Sequence, residues 1–214
     1  PGRSIIDNAK PHVGKKVVLS IDIHNFFPSI YLTTVLYNLF DRRFSKYRPQ
    51  LKRAIFYKGR LPQGSPCSPM LANWAMMEID KEIVSTVCRK HKLSYTRYAD
   101  DLTFSSHYDI PESVVPAISS LLNSAGLRIA EKKVKFMRKH KQQRVTGLVV
   151  NKRVAIPRVE RKRMRAFLHD AELHGLDTAL SRNSNTLCEK LGYASFMHMV
   201  DNRGEYLNKI RELL

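Results

Sequence analysis

Three aspartates carry the clearest chemical signal in the chain. Asp100 and Asp101 stand side by side in SYTRYADDLTFSS, between two runs that read as β-strand, and Asp22 closes a third such run, KKVVLSIDI. Two carboxylates a few ångströms apart repel by about 1–4 kcal/mol at a surface-like dielectric, and aspartate is disfavoured in strands. One reason to tolerate the pair is a turn, since Asp is common at hairpin tips. The other is a cation. If the strands are neighbours in one antiparallel sheet, three carboxylates converge at its end and suit Mg²⁺, a hard ion that takes one or two carboxylates along with waters and substrate phosphates. Two such ions about 4 Å apart clamp the attacking and leaving oxygens of a phosphoryl transfer.

The elements that would position these acids can be read from periodicity and turn chemistry. KKVVLSIDI (15–23) is β-branched and alternates late, as a half-buried strand does. After Pro28, YLTTVLYNLF reads as helix, and LPQGSPCSP (61–69), with three prolines and a glycine, reads as a loop. Ser68 then serves as N-cap with Pro69 at the first helical position. Leu71, Ala75, Ile79, Ile83 and Val87 recur every four residues and give that helix one apolar stripe. LSYTRY and LTFS form a hairpin with the acids at its tip, and a helix over about 112–125 stops at Gly126. QRVTGLVVN and KRVAIP read as a second hairpin turning at Asn151-Lys152. From Arg158 onward the pattern is helical in about three pieces, jointed at Gly175, SRNSN and Gly204.

Bulk composition bounds the partners. The 214 residues suffice for one core with a small appended subdomain, and 37 Lys+Arg against 19 Asp+Glu give a net +18. So large a surplus meets a polyanion, most often nucleic acid, although charge alone also suits a membrane surface. The charge is localised: residues 131–165 hold fourteen Lys/Arg and two Glu, +12 of the total. Cys67, Cys88 and Cys188 form no CxxC pair and the histidines no HExxH, which argues against a disulfide framework or a zinc site. No apolar run is long enough to span a bilayer and the first residues lack an apolar signal core, so the expectation is a cytoplasmic protein with no membrane partner.

The order of these segments is itself informative: an Asp at a strand end with an aromatic five positions on, LPQG-xxx-SP before a helix, YADD, GLRIAEKK, then VTGLVVN. It resembles the palm of reverse transcriptases across roughly residues 3–156, and Asn8-Ala9-Lys10-Pro11-His12 (NAxxH) and Val145-Thr146-Gly147 (VTG) resemble the retron branch of that family. The resemblance implies an α+β fold, a polymerase palm (antiparallel sheet backed by helices) over 1–157 with a remnant of the fingers, followed by a helical thumb-like region over 158–214. It implies RNA-directed DNA polymerisation with two Mg²⁺ ions, Mn²⁺ being a substitute. Its partners would be an RNA template and primer, an RNA–DNA hybrid and dNTPs. Asp22, Asp100 and Asp101 would hold the metals, and Lys133 would protonate the leaving pyrophosphate. Ile23, Phe27, Gln63 and Gly64 would form the nucleotide site, with Phe27 under the sugar to exclude a 2′-OH. Gly147 and Leu148 would grip the primer. Arg158, Arg161, Lys162 and Arg165, spaced by three and four, would share a helix face along a phosphate backbone. The duller readings are core for Phe27 and a solvated basic face for Lys133 and the arginines.

The pattern departs from the family in two places. Ala130 stands where Asn is usual, which removes a local hydrogen bond but no carboxylate. An upstream fingers segment, whose basic residues hold the triphosphate, is expected before PGRSIIDNAK; the chain is then a fragment, or a partner chain completes it, or Arg3, Lys15 and Lys16 do part of that work. Retron kinship further implies a structured non-coding RNA as template, priming from an RNA 2′-OH, an associated effector protein and a role in antiphage defence. Two other functions compete: a nucleic-acid-binding scaffold without polymerase activity, against which the intact acids speak, and a palm-type nucleotide cyclase, disfavoured by LPQG and by the lack of a Gly-Gly-Asp-Glu-Phe signature.

Overall fold

The computed structural model describes residues 3–31, 48–202 and 204–214, so the helix expected after Pro28 lies almost wholly outside the described residues. The chain divides into two compact units, Lys15–Gln143 and Pro1–Gly14 with Arg144–Leu214; the boundary expected near 157 falls inside the second of these.

In the first unit β1 (Val17–Asp22), β2 (Ser94–Tyr98), β3 (Asp101–Ser106) and β4 (Lys135–Arg138) form an antiparallel sheet in the order β2-β3-β1-β4. The two central strands are the apolar ones: Val18, Leu19, Ile21, Leu102 and Phe104 are all fully buried. Each such side chain contributes roughly 1.5–3 kcal/mol when removed from water. Helix α4 (Ser68–Glu82) continues through a π-helical segment, Ile83–Cys88, into Arg89–His91. Its expected stripe is the buried one, with Leu71, Ala75, Ile83 and Val87 in the core beside Leu19 and Phe104 and with Ile79 packed against it. Helix α5 (Val114–Ser124) closes the same core through Ile118 and Leu122, and ends at Gly126, φ 76°, as its residue type foretells. Two short helices complete the described part of this unit, α2 (Phe26–Ser29) and α3 (Arg48–Ile55).

Two local expectations for this unit are corrected. Ser68 is not the cap of α4; Cys67 occupies that place without a side-chain bond, and the Ser68 hydroxyl donates to the Pro62 carbonyl at 2.7 Å, stapling the loop shut instead. Strand β4 was invisible to periodicity because Lys135, Phe136 and Arg138 are exposed on a basic edge, so no apolar alternation marks it; charge on an edge strand is a common guard against unwanted pairing.

In the second unit, helix α1 (Ile5–Ala9) begins with a capping box between Ser4 and Asp7 and runs into a 3₁₀ turn, Lys10–His12. The NAxxH residues Asn8 and His12 are buried there, and α1 packs on the hairpin of β5 (Arg144–Val145) and β6 (Leu148–Val149), with the Thr146 hydroxyl donating to the Ile5 carbonyl at 3.4 Å. The expected turn near Asn151-Lys152 is present, between Val149 and Ala155, which exchange two backbone hydrogen bonds of 2.8 and 2.9 Å; the β5–β6 hairpin before it turns at Thr146-Gly147, both residues left-handed (φ 45° and 83°). Two consecutive positive φ angles define the type I′ turn that suits strand twist. A Val149–Ala155 bridge closes the following bend. Four helices follow, α6 (Arg158–His174), α7 (Leu176–Arg182), α8 (Leu187–Asp201) and α9 (Glu205–Glu212), one more than the expected three. The expected joints at Gly175, SRNSN and Gly204 do separate them.

Candidate active site

Register brings the acids together. In the β1–β3 ladder Asp22 lies directly opposite Asp101, the last pair at that end of the sheet. Tyr98 also pairs with Asp101, so Ala99 and Asp100 form a two-residue turn and Asp100 alone sits at the hairpin tip. The Ile23 N–H donates to the Asp100 carbonyl at 3.0 Å, which ties this tip to the end of β1. The Ala130 N–H donates to the Asp22 carbonyl at 2.8 Å, so the Ala130 backbone supports the acid even without the usual asparagine side chain. Lys133, on the 3₁₀ turn Glu131–Lys133, places Nζ 3.0 Å from both Asp22 carboxylate oxygens.

Electrostatics mark the four side chains as one cluster. Burial, then the neighbouring Asp100 and Asp22 charges, hold the Asp101 carboxyl above its usual range, against the opposing pull of Lys133 and Lys135. The hydrogen bond to Asp22 raises the Lys133 ammonium, with Asp100 and Asp101 adding to it. Among the described residues no three His, Cys, Asp or Glu side chains stand together as a ready cation cage. The donor set still fits hard cations: it is all oxygen, burial and the neighbouring carboxylates raise the proton affinity of Asp101, and a lysine ammonium already sits on Asp22 as counter-charge. Asp22, Asp100 and Asp101 are the residues that would hold such ions.

A buried network lies behind the turn. Arg97, only 7% exposed, donates from Nε to both Asp80 oxygens (3.0 and 3.1 Å) and from one terminal nitrogen to Asp80 Oδ2 at 2.8 Å. Its other terminal nitrogen donates to Asn73 Oδ1 at 2.9 Å and to the Ala99 carbonyl at 3.0 Å. The Tyr95 hydroxyl donates to Asp80 Oδ1 at 2.7 Å, and its ring stacks on Phe104 with centroids 4.8 Å apart. Sequence reasoning missed this network. The available signal was a charged residue inside an otherwise uncharged strand, SYTRY, which needs an acid to receive it; the acid that does, Asp80, is one of several charges in the last turn of the helix 68–82.

The residues expected at the nucleotide site fall in the same unit. Phe26 is core at 4% exposure and Phe27 is half-buried against that core, their ring centroids 5.4 Å apart. The two belong to one turn of α2, so helical rotation separates them, and not the strand alternation expected from an extended chain. The Ile23 side chain is core at 1% exposure, so any nucleotide contact it makes runs through its backbone. Gln63 lines an open groove of about 660 Å³ with Pro28, Tyr57, Arg60 and Pro62. Gly64 follows with φ 89°, a conformation that only glycine adopts readily. Lys15 and Lys16 precede β1, at the end opposite Asp22, and Lys16 is paired with Asp109 at 2.7 Å. A six-residue strand is roughly 20 Å long, so these lysines do not stand beside the carboxylates.

Gly147, Leu148 and the basic helix residues belong to the other unit. Leu148 is buried at 2% exposure, and on α6 Arg158, Lys162 and Arg165 are exposed. Arg161 is half-buried, its Nε enclosed without a hydrogen-bond partner, so it turns away from the exposed face its spacing suggested.

Comparison with known proteins agrees with this geometry. The family described as Reverse transcriptase (RNA-dependent DNA polymerase) matches residues 1–150. The retron Mx65 reverse transcriptase of Myxococcus xanthus is 34% identical over 201 residues, covering 81% of this chain and 47% of that protein. The retron Ec86 reverse transcriptase of Escherichia coli is 33% identical over 220 residues, 98% of this chain and 65% of that protein. The retron Mx162 reverse transcriptase of M. xanthus is 29% identical over 236 residues, 94% of this chain and 48% of that protein. The chain therefore spans between about half and two thirds of the length of these relatives. With the acids in register and the match running through both strands that carry them, the chain belongs to the reverse transcriptase (RNA-dependent DNA polymerase) family, and its relatives within it are of the retron kind.

Proposed function

We propose that the chain carries the catalytic centre of a retron-type RNA-directed DNA polymerase that copies a structured non-coding RNA into DNA and serves antiphage defence. The observation that supports this most is Asp22 opposite Asp101, with Asp100 at the adjoining turn and Lys133 on Asp22. Two divalent ions, Mg²⁺ or Mn²⁺, would supply charge neutralisation for the attacking hydroxyl and the leaving pyrophosphate. The chain's own residues do the rest. Asp22, Asp100 and Asp101 hold the ions. Lys133, whose proton is retained more firmly because of Asp22, stays charged across physiological pH and can give that proton to the pyrophosphate. Phe27 lies under the sugar and rejects a 2′-OH; Gln63, Gly64 and the Ile23 backbone orient base and template. Gly147 and Leu148 act as primer grip, and Arg158, Lys162 and Arg165, with Arg161 behind them, follow the phosphates of the hybrid. In this reading residues 1–157 work as palm with a remnant of the fingers and 158–214 as a thumb.

Primer extension on poly(rA)/oligo(dT) with dTTP and Mg²⁺ tests the proposal. Template-dependent extension that EDTA abolishes is the expected result. RNA binding without extension would leave a nucleic-acid-binding scaffold, and conversion of a nucleoside triphosphate to a cyclic product without template would leave a cyclase.

A further inference from the structure

We infer that Arg97, locked by Asp80 and Asn73, is a positioning residue for the acid-bearing turn Ala99-Asp100. Three observations carry the inference. Ala99 is held at φ 52°, a left-handed conformation that an L-residue with a side chain adopts only at a cost. Its carbonyl belongs to the peptide unit that joins it to Asp100, so whatever fixes that oxygen fixes the direction in which the Asp100 backbone starts. Arg97 fixes it, at 3.0 Å, and Arg97 has no freedom of its own: its Nε and both terminal nitrogens are engaged, and its side chain is 7% exposed.

The anchor is distant in sequence. Asp80 and Asn73 lie on α4, so the guanidinium ties the turn to the helix that follows the loop holding Gln63 and Gly64. Tyr95, on the same strand as Arg97, donates to Asp80 and keeps that carboxylate aimed at the guanidinium. A planar fork of fixed donors is needed to serve Asp80, Asn73 and the Ala99 carbonyl at once; a lysine ammonium can neutralise Asp80 as a point charge but cannot span the three acceptors. The network thus sets the orientation of the turn without touching substrate. Loss of orientation at a reacting group costs rate far more than binding.

The inference rests on the polymerase reading, and two variants with two kinds of readout keep them separate. Arg97→Lys retains the charge. Arg97→Met with Asp80→Leu replaces the ion pair by apolar groups, a change that buried pairs often tolerate in stability. In each, thermal unfolding, amide hydrogen exchange over 17–23 and 94–106, and kcat and KM for dTTP are measured beside the unaltered chain. For Arg97→Lys the expected results are a melting temperature within about 5 °C and faster exchange confined to the Ala99-Asp100 turn and the Ile23 amide bonded to it. A kcat lower by about ten- to a hundredfold, with KM within about threefold, completes the signature. The double variant is expected to fold and to stay slow, which a purely stabilising pair would not do. Full kcat in either folded variant, or loss of exchange protection spread evenly over the sheet, overturns the inference. If the unaltered chain itself shows no extension, the polymerase reading fails, while the exchange pattern still decides whether Arg97 holds the turn.

Discussion

Among the described residues Asp101 is a carboxylate that the fold disfavours in its charged form. Burial, Asp100 and Asp22 all raise its proton affinity above the ordinary value of 3.8. Below that value both folded and unfolded chains are protonated there and nothing is lost. As pH rises past it the unfolded chain ionises first, so folding stability declines until Asp101 also ionises. Asp101→Asn should therefore raise the melting temperature at pH 7 by about 2–4 °C for each kcal/mol of repulsion removed, and the gain should vanish at pH 3.5; an equal gain at both pH values would mean that repulsion is not the cause. Phe27 gives a sharper test at the same scale. If its ring lies under the sugar, Phe27→Val should raise rNTP relative to dNTP incorporation by at least about tenfold, since an apolar pocket alone rejects a hydroxyl only about 10²-fold. Phe26→Ala, a core truncation, should instead cost about 3–5 kcal/mol in denaturant unfolding. Unchanged sugar selectivity in Phe27→Val would return that ring to the core.

Strand register does most of the work of assembling the site, and much of it was legible. The strand ending at Asp22, the hairpin around Ala99-Asp100-Asp101 and the apolar stripe of α4 follow from alternation and four-residue recurrence, because buried faces impose those periods. What failed has physical reasons too. Strand β4 exposes its side chains and so carries no alternation, and the Ser68 hydroxyl could accept from a helix N–H or donate to a loop carbonyl, of which the second won. The turn at Asn151-Lys152 was legible from residue type, but the tight turn just before it was not, because one of its two left-handed residues is Thr146, a type that rarely adopts that conformation. The lone arginine in SYTRY signals that a partner is needed, but which acid serves is set only by tertiary packing of helix on strand. Gly147→Ala tests the Thr146-Gly147 turn: a Cβ at φ 83° should cost about 1–2 kcal/mol, read as a lower denaturation midpoint, while Asn151→Ala should cost less.

Across the whole molecule the net +18 is the dominant long-range property, and +12 of it falls between 131 and 165. If those charges meet a phosphate backbone, log affinity for RNA falls linearly with log salt, and each charge removed flattens the slope by roughly 0.7–0.9. Lys162→Ala with Arg165→Ala, both exposed, should show two such steps, whereas half-buried Arg161→Ala should act mainly on stability. A slope unchanged in the double variant would make that helix face merely solvated. The central claim, that the register of three aspartates creates a metal-dependent polymerase centre, is met most directly by Asp100→Asn assayed for dTTP incorporation and RNA affinity in the same preparation. The account predicts incorporation below about 1% of the unaltered chain, since one carboxylate supports transition-state charge worth several kcal/mol, with RNA affinity within about threefold because phosphate contacts set it. Incorporation above about 10% in a folded, RNA-binding Asp100→Asn chain, where a loss of several kcal/mol should leave far less, would contradict it.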